Sequence, residues 1–184
     1  FYRDPQRTIE SGIVSPADGL VQRAEIKKGM VYFSIFMNVH NVHVNRSPFD
    51  GRVISIKHKS GGYLPAFSKD SDKNERLLTK IETPIGVMKI IQIAGVLVRR
   101  IVSYVKPNSE VAKGERIGLI HFGSRVDLSF ESAGIDLSVK KGDKVLAGQR
   151  LANYTPLSSL STSEKIFEVP KRMFSKLQAS QSED

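Results

Sequence analysis

Short apolar runs separated by polar turns fill most of the chain, and this spacing predicts β-strands rather than helices. Residues 31–37 (VYFSIFM) and 42–44 (VHV) contain mainly β-branched and aromatic side chains, as buried strands do. Residues 77–105 are predicted to form a hairpin with a continuation, and the hairpin turns at residues 83–86 (TPIG). The sequence therefore predicts a core of short strands.

Residues 51–58 show the alternation of a strand that buries one face. The pattern assigns the odd-numbered Val53, Ser55 and Lys57 to one side and the even-numbered residues to the other. The next segment, residues 60–76, is polar and glycine-led, so it predicts a long loop, and loops of that length inside compact domains are often functional. Three apolar or aromatic side chains are embedded in this loop: Tyr63, Leu64 and Phe67.

Basic turns with a glycine precede several of the short apolar strands. They lie at residues 27–29 (KKG), 113–116 (KGER) and 140–144 (KKGDK). Residues 139–152 have two turns spaced as in the small barrel-sandwich folds of lipoyl and biotinyl carriers. The predicted fold is therefore mainly β, α+β at most, with a barrel-sandwich-like core of short strands, tight glycine turns and few short helices. The pattern predicts no function, because a carrier also needs a distinctive lysine at a hairpin tip.

The composition changes near residue 157. Residues 1–156 are predicted to form one domain, since 40% hydrophobic and 26% charged residues are typical of a globular protein. Residues 157–184 begin as a serine-rich linker and end as a basic and apolar tail. No apolar run approaches the roughly 18 residues that span a bilayer.

The charge balance narrows the partners. The 28 Lys and Arg against 19 Asp and Glu give a formal charge of +9, which favours nucleic acid or an acidic membrane surface. Solubility alone explains such an excess equally well. The chain has no RNA-type aromatic and basic motif, so nucleic-acid binding is not predicted. The absence of cysteine excludes disulfides, thiolate chemistry and cysteine-ligated metals, and no metal site is predicted.

Reactive side chains concentrate at three places, of which two lie in the first half of the chain. Asp18 lies in the segment SPADG, where an aspartate before glycine is most often a local backbone cap. His40 and His43 lie three residues apart, so on an extended strand they point to opposite faces unless the chain bends. A histidine among apolar strand residues is more often part of the core than a catalyst.

The third place is the pair Gly123 and Ser124. With Asp18 and a histidine it supplies the residue types of a Ser-His-Asp triad. Such a triad attacks either an external acyl group or the adjacent carbonyl of its own chain. The chain lacks the Gly-x-Ser-x-Gly elbow of many hydrolases. Glycine before serine suits the second reaction, because a residue without Cβ leaves its carbonyl uncovered. The residues alone leave both reactions open.

Nine short segments occur in a fixed order along residues 1 to about 152. They are FYRDP (1–5), VSPADG (14–19), SIFM (34–37), HVNR (43–46) with Pro48 and Gly51, NER (74–76), QIAG (92–95), RRI (99–101), GERIG (114–118), and FGSR (122–125) with Asp127. Together they resemble the short prokaryotic form of the phosphatidylserine decarboxylase family. Each segment is weak alone, but their joint order makes the resemblance specific.

The resemblance implies a proenzyme that cuts itself between Gly123 and Ser124. The Ser124 hydroxyl would attack the Gly123 carbonyl, and Asp18 and His43 match the positions that activate the serine. β-Elimination and hydrolysis would leave a β chain of residues 1–123 and an α chain from residue 124. The expected cofactor is a covalent pyruvoyl group made from Ser124.

The same resemblance implies that this pyruvoyl group decarboxylates phosphatidylserine. It would form a Schiff base with the lipid amine and accept electrons as carbon dioxide leaves, and the product would be phosphatidylethanolamine. A proton must then return to the α-carbon. His43 is the first candidate for the donor and His40 is the second, because an imidazole titrates near neutral pH.

Arginines in the matching segments are the candidates for binding the lipid phosphate, because a guanidinium pairs with phosphate bidentately. The matching segments contain Arg46, Arg76, Arg99, Arg100 and Arg125, and the first three are the chosen candidates. A surface ion pair is the more common role for each of them. Tyr63 and Phe67 of the long loop are expected to contact the bilayer. The expected partners are phosphatidylserine, an acidic membrane surface and the two chains of the precursor; a homodimer is left open. The resemblance implies a peripheral location on the cytoplasmic face of the cell membrane, with an N-terminal anchor missing from this sequence.

Three alternatives stay open beside this hypothesis. In the first alternative, the enzyme acts on archaetidylserine, whose head-group chemistry is identical to that of phosphatidylserine. Alternatively, the chain is a non-catalytic module like the lipoyl and biotinyl carriers, which predicts an uncut chain that is indifferent to Ser124→Ala. The last alternative is a basic nucleic-acid binder, which predicts strongly salt-dependent binding.

Overall fold

A computed structural model describes residues 3–62, 73–95, 100–120 and 124–156. The strands follow one another as β1 (Ile13–Val14), β2 (Gly19–Lys27), β3 (Met30–Met37), β4 (Val44–Arg46), β5 (Gly51–Lys59), β6 (Arg76–Thr83), β7 (Gly86–Ile93), β8 (Ile101–Ser103), β9 (Glu110–Val111), β10 (Arg116–Ile120), β11 (Ser124–Glu131), β12 (Ile135–Leu137), β13 (Lys144–Val145) and β14 (Arg150–Tyr154). They form three antiparallel sheets, and none of these closes into a barrel within the described ranges. Those ranges contain no α-helix, so the prediction of a mainly β fold is confirmed.

The largest sheet has eight strands in the order β13-β2-β3-β11-β7-β6-β5-β9. Its centre is β11, which pairs along its whole length with β3 and along most of it with β7. One face of these strands is buried and includes Phe33, Ile35, Ile90, Leu128 and Phe130. Burying each of these side chains stabilises the fold by roughly 1.5–3 kcal/mol. The β11 strand is therefore hydrogen-bonded to a neighbouring strand on each side and packs one face against the core.

The other two sheets have three strands each, in the orders β4-β10-β8 and β1-β14-β12. The β10 strand pairs with β4 and β8, whereas β11, the next strand along the chain, belongs to the large sheet. Ile120 and Ser124 therefore belong to different sheets.

The predicted turns are confirmed. The hairpin of β6 and β7 turns at Pro84 and Ile85, with Thr83 opposite Gly86. The turn between β2 and β3 places Lys28 at φ 53° and Gly29 at φ 75°, the left-handed region that glycine adopts at no steric cost. The other two basic glycine turns also precede strands, namely β10 and β13.

The alternation predicted for residues 51–58 is wrong beyond Val53. The register of β5 against β6 shifts between Val53 and Ser55, which marks a β-bulge. Val53 belongs to the core and Ile56 packs against it, although the alternation assigned them to opposite faces. A bulge inserts one residue and reverses the order of faces, and a count of alternating residues does not detect it.

The predicted loop and tail fall largely outside the described residues. A bridge between Gly62 and Asn74 closes the ends of the loop, and residues 63–72 between them are not described. Residues 157–184 are likewise outside the described part of the chain. Among the described residues, no helix has the length and apolar character to cross a membrane.

Candidate active site

Ser124 is the first residue of the central strand β11, and its side chain is 0% exposed. It lies directly opposite Met37 of β3, and its Oγ is 3.6 Å from the Met37 sulfur, a weak acceptor. The preceding residues 121–123, which include Gly123 and the predicted cleavage bond, lie outside the described residues. The structure thus locates the serine on the buried face of the large sheet.

His43 lies on the other side of that short segment. Its carbonyl oxygen accepts a hydrogen bond of 3.1 Å from the amide of Ile120, the last residue of β10. The His43 residue is 5% exposed. Because Ile120 precedes residues 121–123 and Ser124 follows them, His43 and Ser124 flank the same segment of chain.

The His43 imidazole is held by a backbone carbonyl. Its Nδ1 lies 2.7 Å from the carbonyl oxygen of Asn41. A carbonyl oxygen only accepts, so Nδ1 carries the proton of the neutral ring and the lone pair is at Nε2. The side chains of Asn38 and Asn41 accept bonds from backbone amides of the same tight turn and fix its shape. A neutral histidine in this tautomer has the form of a general base.

The turn gives the two histidines different surroundings. His40 is exposed and borders an open pocket of about 190 Å³ with Arg3, Val39 and Asn41. Arg3 donates a hydrogen bond of 2.6 Å to the His40 carbonyl. The chain therefore bends between the histidines, as a shared site requires, but it buries only His43.

Asp18 is bound by partners that are distant in sequence. Its Oδ1 accepts a hydrogen bond of 2.8 Å from the Ala147 amide, and its Oδ2 forms an ion pair of 2.5 Å with Arg7. The interpretation of Asp18 as a local cap is therefore wrong, and the Ser15 hydroxyl makes the local bond instead. The next position requires a glycine, because a Cβ on Gly19 would lie 2.2 Å from the Phe36 carbonyl oxygen.

Backbone hydrogen bonds join the segment before β2 to residues that follow His43 in the chain. The Val14 amide donates to the Pro48 carbonyl at 3.0 Å, and the Arg46 amide donates to the Pro16 carbonyl at 2.9 Å. Among the described residues, the Asp18 carboxylate is hydrogen-bonded to Arg7 and Ala147 and not to His43.

Two buried amides beside Ser124 were not predicted. Asn45 is 0% exposed and its Nδ2 lies 3.7 Å from the Met37 sulfur. Gln92 is 1% exposed and its Nε2 lies 2.8 Å from Asn45 Oδ1. The sequence did contain a signal, because an Asn and a Gln among strand residues are tolerated in a core only when they are hydrogen-bonded.

The candidate phosphate-binding residues fall into different environments. Arg46 is 9% exposed and binds the Gly114 carbonyl at 2.9 Å and the Asp4 carboxylate at 2.7 Å. Arg46 would have to leave these partners to bind a phosphate. Arg76 begins β6, is half-buried and has no ion pair within the described ranges. Arg99, Tyr63 and Phe67 lie outside the described residues.

The sheets on either side of residues 121–123 are held independently of the link between them. β10 is paired with β4 and β8, and β11 is paired with β3 and β7. Farther along, β13 pairs with β2 and β14 with β1. A break before Ser124 would therefore unpair none of the described strands.

Comparison with known proteins identifies the family. The family model described as phosphatidylserine decarboxylase matches residues 1–153. A protein of Methanococcoides burtonii named as an archaetidylserine decarboxylase proenzyme is 50% identical over 152 residues, which are 81% of this chain and 71% of that protein. Phosphatidylserine decarboxylase proenzymes of Streptomyces avermitilis and Thermobifida fusca are each 49% identical, covering 80% and 81% of this chain and 69% of each relative.

Among solved structures, glucose permease IIA from Mycoplasma capricolum has a TM-score of 0.48 and 16% identity, over 76% of this chain and 92% of that chain. A likeness of that size supports no conclusion about fold or function. The sequence relatives and the family model agree with each other and with the motifs. The chain therefore belongs to the phosphatidylserine decarboxylase family, which confirms the resemblance and the decarboxylase function that it implied.

Proposed function

We propose that this protein is a precursor that cuts itself between residues 123 and 124, converts Ser124 into a pyruvoyl group and then decarboxylates phosphatidylserine to phosphatidylethanolamine and carbon dioxide. One observation supports it above all others. Ser124 is fully buried at the start of the central strand β11, directly after residues 121–123. The buried His43, in the tautomer of a base, is bonded to Ile120, directly before those residues.

The cleavage begins with the hydroxyl of Ser124. Its Oγ attacks the carbonyl carbon of Gly123 and loses its proton to a base, and the C–N bond then breaks as the Ser124 nitrogen takes up a proton. The amide has become an ester. Removal of the Ser124 α-proton then breaks the Cβ–Oγ bond and leaves Gly123 as a carboxylate. Tautomerisation and addition of one water release ammonia and leave a ketone at residue 124.

His43 is the proposed base. Its Nδ1 proton is committed to the Asn41 carbonyl, so Nε2 receives the proton from the serine. Asp18 is the proposed third member, which stabilises the imidazolium once it forms. For that role the carboxylate must exchange Arg7 or Ala147 for His43.

The two products would be a β chain, residues 1–123, and an α chain from residue 124. Strand pairing supports their staying together. The α chain supplies β11 to the centre of the large sheet and pairs β13 and β14 with strands of the β chain. The bond from Ala147 to Asp18 would also become a contact between chains.

The pyruvoyl group fits the site because its methyl carbon is the former Cβ of Ser124, which already lies in a buried position beside Met37. Once formed, it supplies the electrophilic carbonyl that protein side chains lack and that decarboxylation requires. His43 is the first candidate to return a proton to the substrate α-carbon, and the exposed His40 is the second. Of the three candidates Arg46, Arg76 and Arg99, Arg76 is the one that is described and has no ion pair there to give up for a lipid phosphate, and Arg46 and Arg99 stay as alternatives.

The outward face of β5, β6 and β7 supports contact with an acidic membrane. Within the described part of the chain, its one acidic side chain, Glu82, is paired with Arg52 at 3.0 Å. Lys80 lies directly opposite Lys89, an arrangement of like charges that destabilises a sheet unless an anion joins it. We call this surface the basic face; its cations without an ion pair in the described residues are Lys57, Lys59, Arg76, Lys80 and Lys89.

Membrane contact through the basic face is tested by co-sedimentation with phosphatidylserine vesicles. Each basic residue near such a surface contributes about 1 kcal/mol, so Lys80→Glu with Lys89→Glu is expected to weaken binding at least about tenfold. The matched control is Lys140→Glu with Lys141→Glu, an equal charge change at an exposed turn. Equal loss in both pairs would assign the attraction to net charge. We propose the cytoplasmic leaflet, where acidic lipids concentrate, as the location.

The activity is tested with phosphatidylserine labelled in the serine carboxyl group. Vesicles with wild-type protein should release labelled carbon dioxide and accumulate phosphatidylethanolamine, and Ser124→Ala should release none. The same assay with archaetidylserine vesicles shows which of the two lipids in the relatives' names is the substrate. Release from archaetidylserine alone would replace phosphatidylserine as the substrate and leave the cleavage chemistry intact.

A further inference from the structure

A chain of buried hydrogen bonds joins Ser124 to side chains that take no part in the proposed cleavage steps. Ser124 Oγ lies 3.6 Å from the Met37 sulfur, and Asn45 Nδ2 lies 3.7 Å from the same atom. Gln92 Nε2 then lies 2.8 Å from Asn45 Oδ1. All of these residues are at most 1% exposed. The reactive hydroxyl is therefore the end of a buried network.

The sulfur determines the direction of every bond in this network. A thioether has no proton to give, so both groups beside it must donate. Asn45 therefore turns its NH₂ group to Met37 and its carbonyl oxygen to Gln92, and Gln92 must present its own NH₂ group. Ser124 must likewise direct its hydroxyl proton to the sulfur. The two amides thus hold the atom that orients the hydroxyl.

The network connects the two sheets that flank residues 121–123. Met37 and Ser124 are cross-strand partners in the large sheet. Gln92 lies on β7, which pairs with the other side of β11. Asn45 comes from β4, the strand that follows His43. A Cβ at Gly118 of β10 would lie 2.5 Å from the Val102 carbonyl oxygen and 3.1 Å from Gln92 Nε2, so the glycine leaves room for both groups. The network therefore fixes the position of β11, which begins with Ser124, relative to β4, which follows His43.

Stability is a poor explanation for these amides. Apolar side chains of similar size would fill the same space without needing hydrogen-bond partners. Gln92 Oε1 is buried and has no hydrogen-bond partner among the described residues. Burying an unpaired polar atom costs about 1–3 kcal/mol. A network that is retained despite this cost is expected to serve the site beside it.

We propose that Asn45 and Gln92 are positioning residues for the self-cleavage at Ser124 and act through the Met37 sulfur. The sulfur holds the hydroxyl in one rotamer, yet as a weak acceptor it competes little with an imidazole for the proton. This inference rests on the cleavage between residues 123 and 124 set out above.

The first test removes the sulfur and keeps the volume. The precursor is made by pulse-labelled cell-free synthesis, and its conversion to two chains is followed with time. Met37→Leu is expected to slow cleavage about tenfold, because a misplaced nucleophile loses rate steeply. Met88→Leu is the matched control, a methionine equally buried in the same core. It should stay within about twofold of wild type. Equal rates in the two variants would overturn the proposal.

The second test has a readout that packing alone does not change. In Gln92→Glu, burial keeps the carboxyl neutral at low pH, and its O–H replaces the lost donor to Asn45. Its cleavage rate, divided by that of wild type at the same pH, should fall as the pH rises and the proton is lost. Gln92→Met has no donor at any pH, so its deficit should stay constant. A flat ratio in both variants would contradict a positioning role.

The outcome for wild type separates this inference from the proposed function. If wild type is cut and Met37→Leu is cut equally fast, only the positioning role is wrong. If wild type itself stays whole under conditions that fold it, the cleavage is wrong, whatever the variants do.

Discussion

The surroundings of Ser124 and of Asp18 differ in their physical character. Ser124 is 0% exposed and its hydroxyl meets a neutral sulfur at 3.6 Å. Asp18 is 4% exposed, but an arginine at 2.5 Å and a backbone amide at 2.8 Å bind its two oxygens. The first site is neutral and weakly bonded, whereas the second is ionic and ties the N-terminal segment to the domain.

This difference indicates where reactivity can arise. A hydroxyl on a weak acceptor is released easily, while a carboxylate held by a guanidinium and an amide must exchange one of these partners before it can assist a histidine. His43 lies beside the segment that precedes Ser124 and already has the tautomer of a base. We therefore expect the rate of cleavage to depend most on the histidine and least on the ionic ties.

Apart from loss of the nucleophile Ser124 itself, the largest effect is expected from His43→Gln. Loss of a general base typically reduces a rate by about 10²–10⁴, so the precursor should persist for hours or days. His40→Gln is the matched variant, since His40 is exposed and lies on the other side of the turn. It should be cut at a rate within about threefold of wild type. Time courses on denaturing gels measure both. Faster cleavage of His43→Gln than of His40→Gln would exclude His43 as the base.

A smaller effect is expected from the ion pair, and it separates chemistry from stability. Arg7→Met leaves a buried carboxylate with one partner, so the free energy of unfolding should fall by about 3 kcal/mol. Its cleavage rate at a temperature that preserves the fold should stay within about threefold of wild type. Asp18→Asn should slow cleavage about tenfold because no charge remains to stabilise the imidazolium.

Denaturant unfolding and cleavage time courses on the same samples give the two quantities for this pair. If Arg7→Met and Asp18→Asn slow cleavage equally, Asp18 stabilises the fold and takes no part in the cleavage reaction.

The smallest effect on cleavage is expected from Asp4→Asn. Asp4 forms ion pairs with Arg46 at 2.7 Å and with Arg116, and its side chain is 25% exposed. Its loss should lower the free energy of unfolding by about 1 kcal/mol, discounted for solvent screening, and leave the cleavage rate within about twofold. Thermal unfolding and gel assays check the two values. A tenfold loss of cleavage with unchanged stability would show that the N-terminal segment acts in the reaction.

Much of the fold could be predicted from local sequence, because local chemistry determines it. The turn at Pro84 and Ile85 and the left-handed turn at Lys28 and Gly29 follow from residue preferences within a few positions. The bulge after Val53 could not be predicted, because alternation carries no marker for an inserted residue.

The site was predictable only as a set of residue types. Family motifs pointed to Asp18, His43 and Ser124, yet their contacts depend on partners far away in the chain. The Ala147 amide that binds Asp18 is 129 residues away, and Gln92 is 47 residues from Asn45. No local pattern encodes such pairs, since they arise from strand pairing and sheet packing. The same limit explains why the Met37 network appeared only with the structure.

The central claim is that the hydroxyl of Ser124 converts the peptide bond before it into a carboxyl end and a ketone. Intact-mass measurement of denatured wild-type protein tests this most directly. Two chains are predicted, ending at residue 123 and beginning at residue 124, with masses that sum to the precursor plus one water and minus one ammonia. Ser124→Ala should give one uncut chain. A single uncut wild-type chain, after incubation with phosphatidylserine vesicles that yields no carbon dioxide, would contradict the mechanism.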